Sequence, residues 1–234
     1  MSRGAEFCKR LPDKVKYENM FKKHCVPDLN AVIFDIDGTM VDNIVYHKKA
    51  WLIFCKKYNV KMTGQQFKTR FFGKNNHTIL QGLFRASLTK QKAELYAEEK
   101  ESLYRQIYAP HIRPLPGLNQ LIKRVKQKGI KTAIASGAPQ KNREFVFKHL
   151  NLAGEFDLVV GDEDVENGKP HPEIYLQVAN RLKVKPDQCL VFEDTPAGVE
   201  SAKSAGMQVV GILTGYSKKA LRLADCTINN YNEL

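Results

Sequence analysis

The hydrophobic positions of this chain follow two rhythms. From Leu115 onward, short apolar runs rich in β-branched residues alternate with stretches of helical period. Ile130–Ala135, Phe156–Val160, Cys189–Phe192 and Gln208–Leu213 read as strands. Leu118–Lys128 is amphipathic with Gly129 as its stop, and further helices are predicted at Glu173–Leu182 and at Ala197–Ala205, before Gly206. One more strand, Ala31–Phe34, stands far upstream. Between it and the rest, residues 44–110 are mostly helical in pattern, with Trp51/Cys55 and Leu80/Phe84 at helical spacing. Pro110, Pro114, Pro116 and Gly117 mark a return to the alternating part.

Strand–helix alternation predicts a parallel sheet covered by helices on both faces. The expected architecture is an α/β, doubly wound parallel-sheet core of residues 28–43 and 111–234, interrupted after its first strand by an α-helical domain, 44–110. Residues 1–27 form a polar extension with a predicted helix at Lys14–His24.

At 234 residues and 43% hydrophobic content, the chain can bury a sizeable core. No apolar run reaches the roughly 18 residues of a membrane span, so no membrane partner is expected. Met1–Pro27 lacks the apolar stretch of a secretory signal and carries Glu6, Asp13 and Glu18. The five cysteines are odd in number, scattered and without a CxxC pair, which suits free thiols in the cytoplasm. Net charge is +12, and Asn43–Ala93 contains Lys and Arg but no Asp or Glu. Such a segment either concentrates an anionic ligand or is a lysine-rich solvated surface. No recognition motif accompanies it, so nucleic acid is not expected. A monomer is the default.

In open α/β sheets, ligands bind at the carboxyl ends of strands, and four polar signals fall there. Asp35-Ile-Asp37-Gly38-Thr39 follows the first strand. Acids at the end of a buried strand need compensation, and a divalent cation is the leading candidate; a turn or capping pair is the lesser alternative. Ser136-Gly137 offers a hydroxyl and backbone N–H groups to phosphate oxygens, or a plain helix cap before Pro139. Gly168-Lys169-Pro170-His171-Pro172 fixes a lysine that either neutralises a phosphoryl group or is a solvated loop residue. Glu193-Asp194-Thr195-Pro196-Ala197-Gly198 is a second acidic pair at a strand end.

In these residues and their order the chain resembles the haloacid dehalogenase superfamily, in its phosphatase and β-phosphoglucomutase branch with a helical cap, over roughly residues 29–215. The resemblance implies a Rossmann-like core and Mg²⁺-dependent phosphoryl transfer from a small phosphorylated metabolite of sugar or polyol type. Asp35 is implied to be the nucleophile that forms an aspartyl-phosphate, and Asp37 the acid and base. Ser136 and Lys169 are implied to hold the phosphoryl group, and Asp35, Asp37, Glu193 and Asp194 the metal. Substrate contacts are implied at Gly38, Thr39, His47, Gly73, Lys74, Asn76, His77, Gly137 and Asn142. Physical chemistry agrees: a carboxylate accepts a phosphoryl group only if cations offset its repulsion from phosphate, and a second carboxylate beside the leaving oxygen serves as acid and base. Oxygen ligands without His or Cys suit Mg²⁺. The dehalogenases of the superfamily lack the second Asp, so Asp37 points to phosphate.

The segment Asp42–Trp51 is similar to the β-phosphoglucomutases, which carry a His and a Trp at this spacing and whose His contacts the acid/base Asp. His47 is alternatively a half-buried helix residue packing on Trp51. The mutases also have a cap arginine that grips a distal phosphate, and the aligned position here is Asn76, with Lys74 nearby only a point charge. Phosphatase is therefore the expectation and phosphosugar mutase the alternative. A non-catalytic binding protein would be expected to have lost one of Asp35, Asp37, Lys169 or Asp194, and all are present.

Overall fold

The computed structural model describes residues 28–71, 75–84 and 88–234. The extension helix expected at Lys14–His24, and Gly73 and Lys74, lie outside them. The described chain forms two compact units: one from the residues up to Asp42 together with Arg113–Leu234, the other from Asn43–Ile112.

The first unit is the α/β core. β1 (Ala31–Phe34) is fully buried along its length, as a central parallel strand covered on both faces must be. Its neighbours are β2 (Lys131–Ser136) and β4 (Cys189–Glu193), with Phe34 level with Ile134 and Phe192. Adding β3 (Leu158–Gly161), β5 (Gln208–Ile212) and β6 (Cys226–Ile228) gives an all-parallel sheet of order β3-β2-β1-β4-β5-β6. The order reverses direction at β1, so the crevice beyond the ends of β1, β2 and β4 is the topological switch point where such sheets bind ligands.

Boundaries differ from the sequence reading by small steps with local causes. Ile130 belongs to the preceding helix end, its N–H bonding to the Val125 carbonyl, so β2 starts at Lys131 and runs on through Ser136. β3 starts at Leu158 because Asp157 is used as a clip, its carboxylate accepting from the Thr132 N–H (2.7 Å). The helix at Pro196–Ser204 begins one residue early, at a proline after the Thr195 N-cap. The helix Gln140–Leu150 and the three-residue β6 had no sequence forecast. The helix Glu173–Leu182 has the expected bounds.

The second unit is helical. α1 (Ile44–Lys57), α2 (Gly64–Arg70), α3 (Asn76–Phe84) and α4 (Lys90–Tyr108) enclose Trp51, Phe54, Cys55, Phe67, Phe71, Ile79 and Leu80. Leu80 is buried and Phe84 packs on the same cluster, so the spacings that suggested helices also mark the buried face. Full burial of each Phe, Ile or Leu side chain in this cluster contributes about 1.5–3 kcal/mol. The basic segment is not a bare positive face: Lys57 pairs with Glu99 (2.7 Å), which also accepts from the Tyr58 hydroxyl (2.7 Å). Among the described residues, no helix is long and apolar enough to cross a membrane.

The remaining core helices are, in chain order, α5 (Leu118–Gln127), α6 (Gln140–Leu150), α7 (Glu173–Leu182) and α8 (Pro196–Ser204).

Candidate active site

Asp35 is the first residue beyond β1, held in the sheet by its N–H bond to the Phe192 carbonyl (3.1 Å). The chain then turns back on itself. Gly38 has φ +75°, its N–H bonds to the Val41 carbonyl, and Asp37 bridges to Val41. The turn is pinned from outside: the Thr214 hydroxyl donates to the Gly38 carbonyl (2.6 Å) and the buried Tyr231 hydroxyl to the Thr39 carbonyl (2.9 Å). A side chain on Gly38 would place its Cβ 2.1 Å from Asp194 Oδ2, so both the positive φ and the approach to that carboxylate require glycine.

Lys169 reaches in from the loop after β3 and uses its ammonium three times. It donates to Asp35 Oδ1 (2.9 Å), Glu193 Oε1 (2.6 Å) and the Ala135 carbonyl (3.0 Å). Glu193, the last residue of β4, is gripped on both oxygens. Oε1 also accepts from the Tyr175 hydroxyl (3.0 Å), while Oε2 accepts from the N–H groups of Asp194 (3.0 Å) and Thr195 (3.1 Å) and from the Thr195 hydroxyl (3.2 Å). The Thr39 hydroxyl donates to Asp194 Oδ1 (3.4 Å).

The charges do not balance. Asp35, Glu193 and Asp194 are all buried, each offers a carboxylate oxygen within 4.8 Å of the others', and among the described residues the Lys169 ammonium pairs with two of them. Burial pushes the Asp35 carboxyl up to about 7 despite the Lys169 ammonium, with Glu193 and Asp37 adding repulsion. Burial, then Glu193 and Asp35, drive Asp194 well above the carboxylate range. Burial alone would lower the Lys169 ammonium, but Asp35 and Glu193 outweigh it and hold it well above its ordinary value. A cluster that concentrates negative charge in a dry place, with only oxygen donors and a glycine making room against one carboxylate, fits a hard divalent cation. Asp35, Glu193 and Asp194 are the residues that could hold it.

Of the other residues singled out from sequence, Ser136 ends β2 one register step beyond Ala135, and its Oγ accepts from the Ala138 N–H (3.2 Å). Gly137 lies against the Asp162 carboxylate and Asn142 is buried in the first turn of α6. His47, Asn76 and His77 belong to the helical unit. The His47 ring stacks on Tyr104 (centroids 3.8 Å apart), and its Nδ1 lies 2.9 Å from the buried Lys100 ammonium. The Lys100 ammonium also lies over the Trp51 ring, at 5.2 Å. Asn76 donates to Glu101 Oε1 (2.7 Å), which Lys100 also reaches (2.7 Å), and His77 is exposed beside Gln81. Tyr175, Thr214 and Tyr231 were missed. Nothing in their local sequence marks them, because each acts through one hydroxyl on a group distant in the chain.

Gly198 offers a sharp local test. Its Cβ would fall 1.9 Å from Glu193 Oε1, yet it sits in α8, where Gly→Ala ordinarily gains about 1 kcal/mol. Overpacking of a buried, fully bonded carboxylate costs about 1–3 kcal/mol and wins. Gly198→Ala is expected to lower the melting temperature; a rise would show that Glu193 is free to move.

The family described as haloacid dehalogenase-like hydrolase matches residues 32–212, and the chain belongs to it. Among its relatives is a phosphorylated carbohydrates phosphatase of Thermotoga maritima, 34% identical over 180 residues that cover 77% of this chain and 83% of that protein. A β-phosphoglucomutase of Bacillus subtilis is 30% identical over 197 residues, 80% of this chain and 84% of that one. The crystal structure of a hydrolase of the same superfamily from Entamoeba histolytica superposes with a TM-score of 0.81 at 29% identity, covering 88% of this chain and 95% of that chain.

Proposed function

We propose that the protein is a cytoplasmic, Mg²⁺-dependent phosphatase that hydrolyses a small phosphorylated metabolite of sugar or polyol type through a phosphorylated Asp35. The observation that carries this reading is the buried group of Asp35, Lys169, Glu193 and Asp194 at the switch point of the sheet, with a second aspartate, Asp37, two residues beyond the first. The Thermotoga maritima relative, named a phosphorylated carbohydrates phosphatase, supports the substrate class. The odd number of scattered cysteines, without a CxxC pair, supports the cytoplasmic part of the reading.

In the proposed sequence, Asp35 attacks phosphorus, the bond to the leaving oxygen breaks, and Asp37 gives that oxygen its proton. Asp37 then takes a proton from water as the water attacks phosphorus; the bond to Asp35 breaks and orthophosphate leaves. Lys169 favours the ionised form of Asp35 and neutralises the phosphoryl group, Ser136 and the adjoining N–H groups hold its oxygens, and Glu193 fixes Lys169. Mg²⁺, when bound by Asp35, Asp37, Glu193 and Asp194, supplies the positive charge that lets an anionic nucleophile meet an anionic phosphate. His47, Asn76 and His77, with Gly73 and Lys74, are proposed as substrate contacts of the helical unit.

A mutase is the second reading, favoured by the mutase among the relatives. Against it stands Asn76, an uncharged side chain already committed to Glu101, where a mutase needs a cation for the second phosphate. A panel of phosphorylated metabolites assayed for phosphate release with Mg²⁺ tests the proposal; release from none of them defeats it. Formation of glucose 6-phosphate from β-glucose 1-phosphate with a bisphosphate primer would favour the mutase.

The metal claim has its own readout. A carboxyl whose pKa is higher folded than unfolded stabilises the fold at low pH, and that contribution is lost as pH rises from about 4 towards about 7. The metal-free protein is therefore expected to be penalised above neutrality, where a cation competes best with protons. Mg²⁺ at about 100 times its dissociation constant adds about 2.7 kcal/mol, or about 5–10 °C in melting temperature at this size. The rise should be larger at pH 8 than at pH 5.5; equal shifts, or none, contradict the site.

A further inference from the structure

The end of β2 is braced from outside by a pair that the mechanism above leaves unused. Arg143 lies in the first turn of α6 and is 5% exposed, so its guanidinium has little water. It turns back along the helix and donates from Nη1 to the Ala138 carbonyl (2.7 Å), two residues beyond Ser136. The other face of the guanidinium meets Glu163, in the turn after β3: Nη1 donates to Oε2 (3.1 Å) and Nη2 to Oε1. This hydrogen bonding, against partial burial, holds the Glu163 carboxyl below its ordinary range. The pair crosses directly over Gly161. A Cβ there would stand 2.3 Å from both Arg143 Nη1 and Glu163 Oε2, although the backbone is extended (φ −112°) and suits any residue.

We infer that Arg143 and Glu163 form a positioning clamp that fixes the backbone of Ser136-Gly137-Ala138, and thereby the phosphate-oxygen donors at the end of β2. The inference rests on the phosphatase reading. Neither residue is a catalytic group: the guanidinium is committed to a carbonyl and a carboxylate. Its planar fork serves both at once, which a lysine's point charge does not. The Ala138 N–H bonds the Ser136 hydroxyl, so the residue whose carbonyl Arg143 holds is the same one that orients the serine. Slack of 1 Å in such a group is enough to cost about 10²-fold in rate. Glu163 is half exposed and keeps the guanidinium from swinging away.

The test uses Arg143→Lys, Glu163→Gln, Gly161→Ala and the double variant Arg143→Lys/Glu163→Gln. Each is assayed with p-nitrophenyl phosphate, with orthophosphate as competitive inhibitor, and by thermal melting. Arg143→Lys and Gly161→Ala are expected to lower kcat about ten- to hundredfold and to raise the inhibition constant of orthophosphate about tenfold. Glu163→Gln should give a weaker form of the same change. The double variant should be no worse than Arg143→Lys alone, because both single changes release one clamp. Melting temperatures that fall while kcat and the orthophosphate constant of the folded enzyme stay within about twofold of wild type overturn the inference, since the pair would then serve the fold only. Additive losses in the double variant overturn it as well. A wild type that releases no phosphate from any tested ester overturns the phosphatase reading first, and this inference with it.

Discussion

Asp35→Asn is expected to abolish phosphate release, by at least about 10⁴-fold, as loss of a covalent nucleophile does. The substitution keeps the shape of the side chain and removes only its capacity to form a bond to phosphorus. The fold should tolerate it. The native carboxyl is buried so unfavourably that its pKa rises to about 7, so a neutral amide relieves repulsion from Glu193 and Asp194 while Lys169 keeps its bonds to Glu193 and the Ala135 carbonyl. Melting should therefore change little, or rise, in the metal-free protein, and the gain from Mg²⁺ should shrink. Measured together, phosphate release and melting separate a lost nucleophile from a damaged fold. Residual turnover near wild type would mean that another group attacks.

Lys169→Met carries the second large effect, and it acts on stability as well as rate. The side chain that is lost compensates Asp35 and Glu193 at once. Removing one partner of a buried charge pair costs about 3–5 kcal/mol, because the remaining charges stay in place without water. Loss of a preorganised electrostatic contact at the reacting group costs a further 10²–10³ or so in kcat. The two losses differ with pH. Without the ammonium the Asp35 and Asp194 carboxyls are easier still to protonate, so a proton takes over part of its task in acid, and the stability deficit should widen from pH 5.5 to pH 8. Saturating Mg²⁺ should restore part of the stability and little of the rate. A variant as stable as wild type at pH 8 without metal would mean that the carboxylates are hydrated after all.

The sheet was legible because its strands are short, apolar and bounded by Gly, Pro or charged residues, as at Ala31–Phe34 and Cys189–Phe192, and because parallel strands buried on both faces leave little polar interruption. The helix at Gln140–Leu150 escaped because only Asn142, Arg143, Val146 and Leu150 are buried, so its inward face is half polar and no apolar stripe stands out. β6 is three residues on the edge, too short for a period of two to register. Asp35, Lys169, Glu193 and Asp194 were nominated by their positions at strand ends, and the sheet carries them to one crevice. What the sequence could not display is the surrounding set of single hydrogen bonds: Tyr175 on Glu193, Tyr231 on the Thr39 carbonyl, Thr214 on the Gly38 carbonyl. Each joins residues 18 to 192 positions apart, through side chains that occur everywhere in proteins. Asn76 likewise donates to Glu101, 25 positions away in another helix. Local patterning cannot see such pairs.

The most direct test of the covalent route is chemical trapping. Enzyme quenched in acid during turnover, reduced with borohydride and mapped by mass spectrometry should contain homoserine at position 35, the product of reducing an acyl phosphate on that aspartate. Homoserine at another position, or none at position 35 while phosphate is being released, would contradict the account.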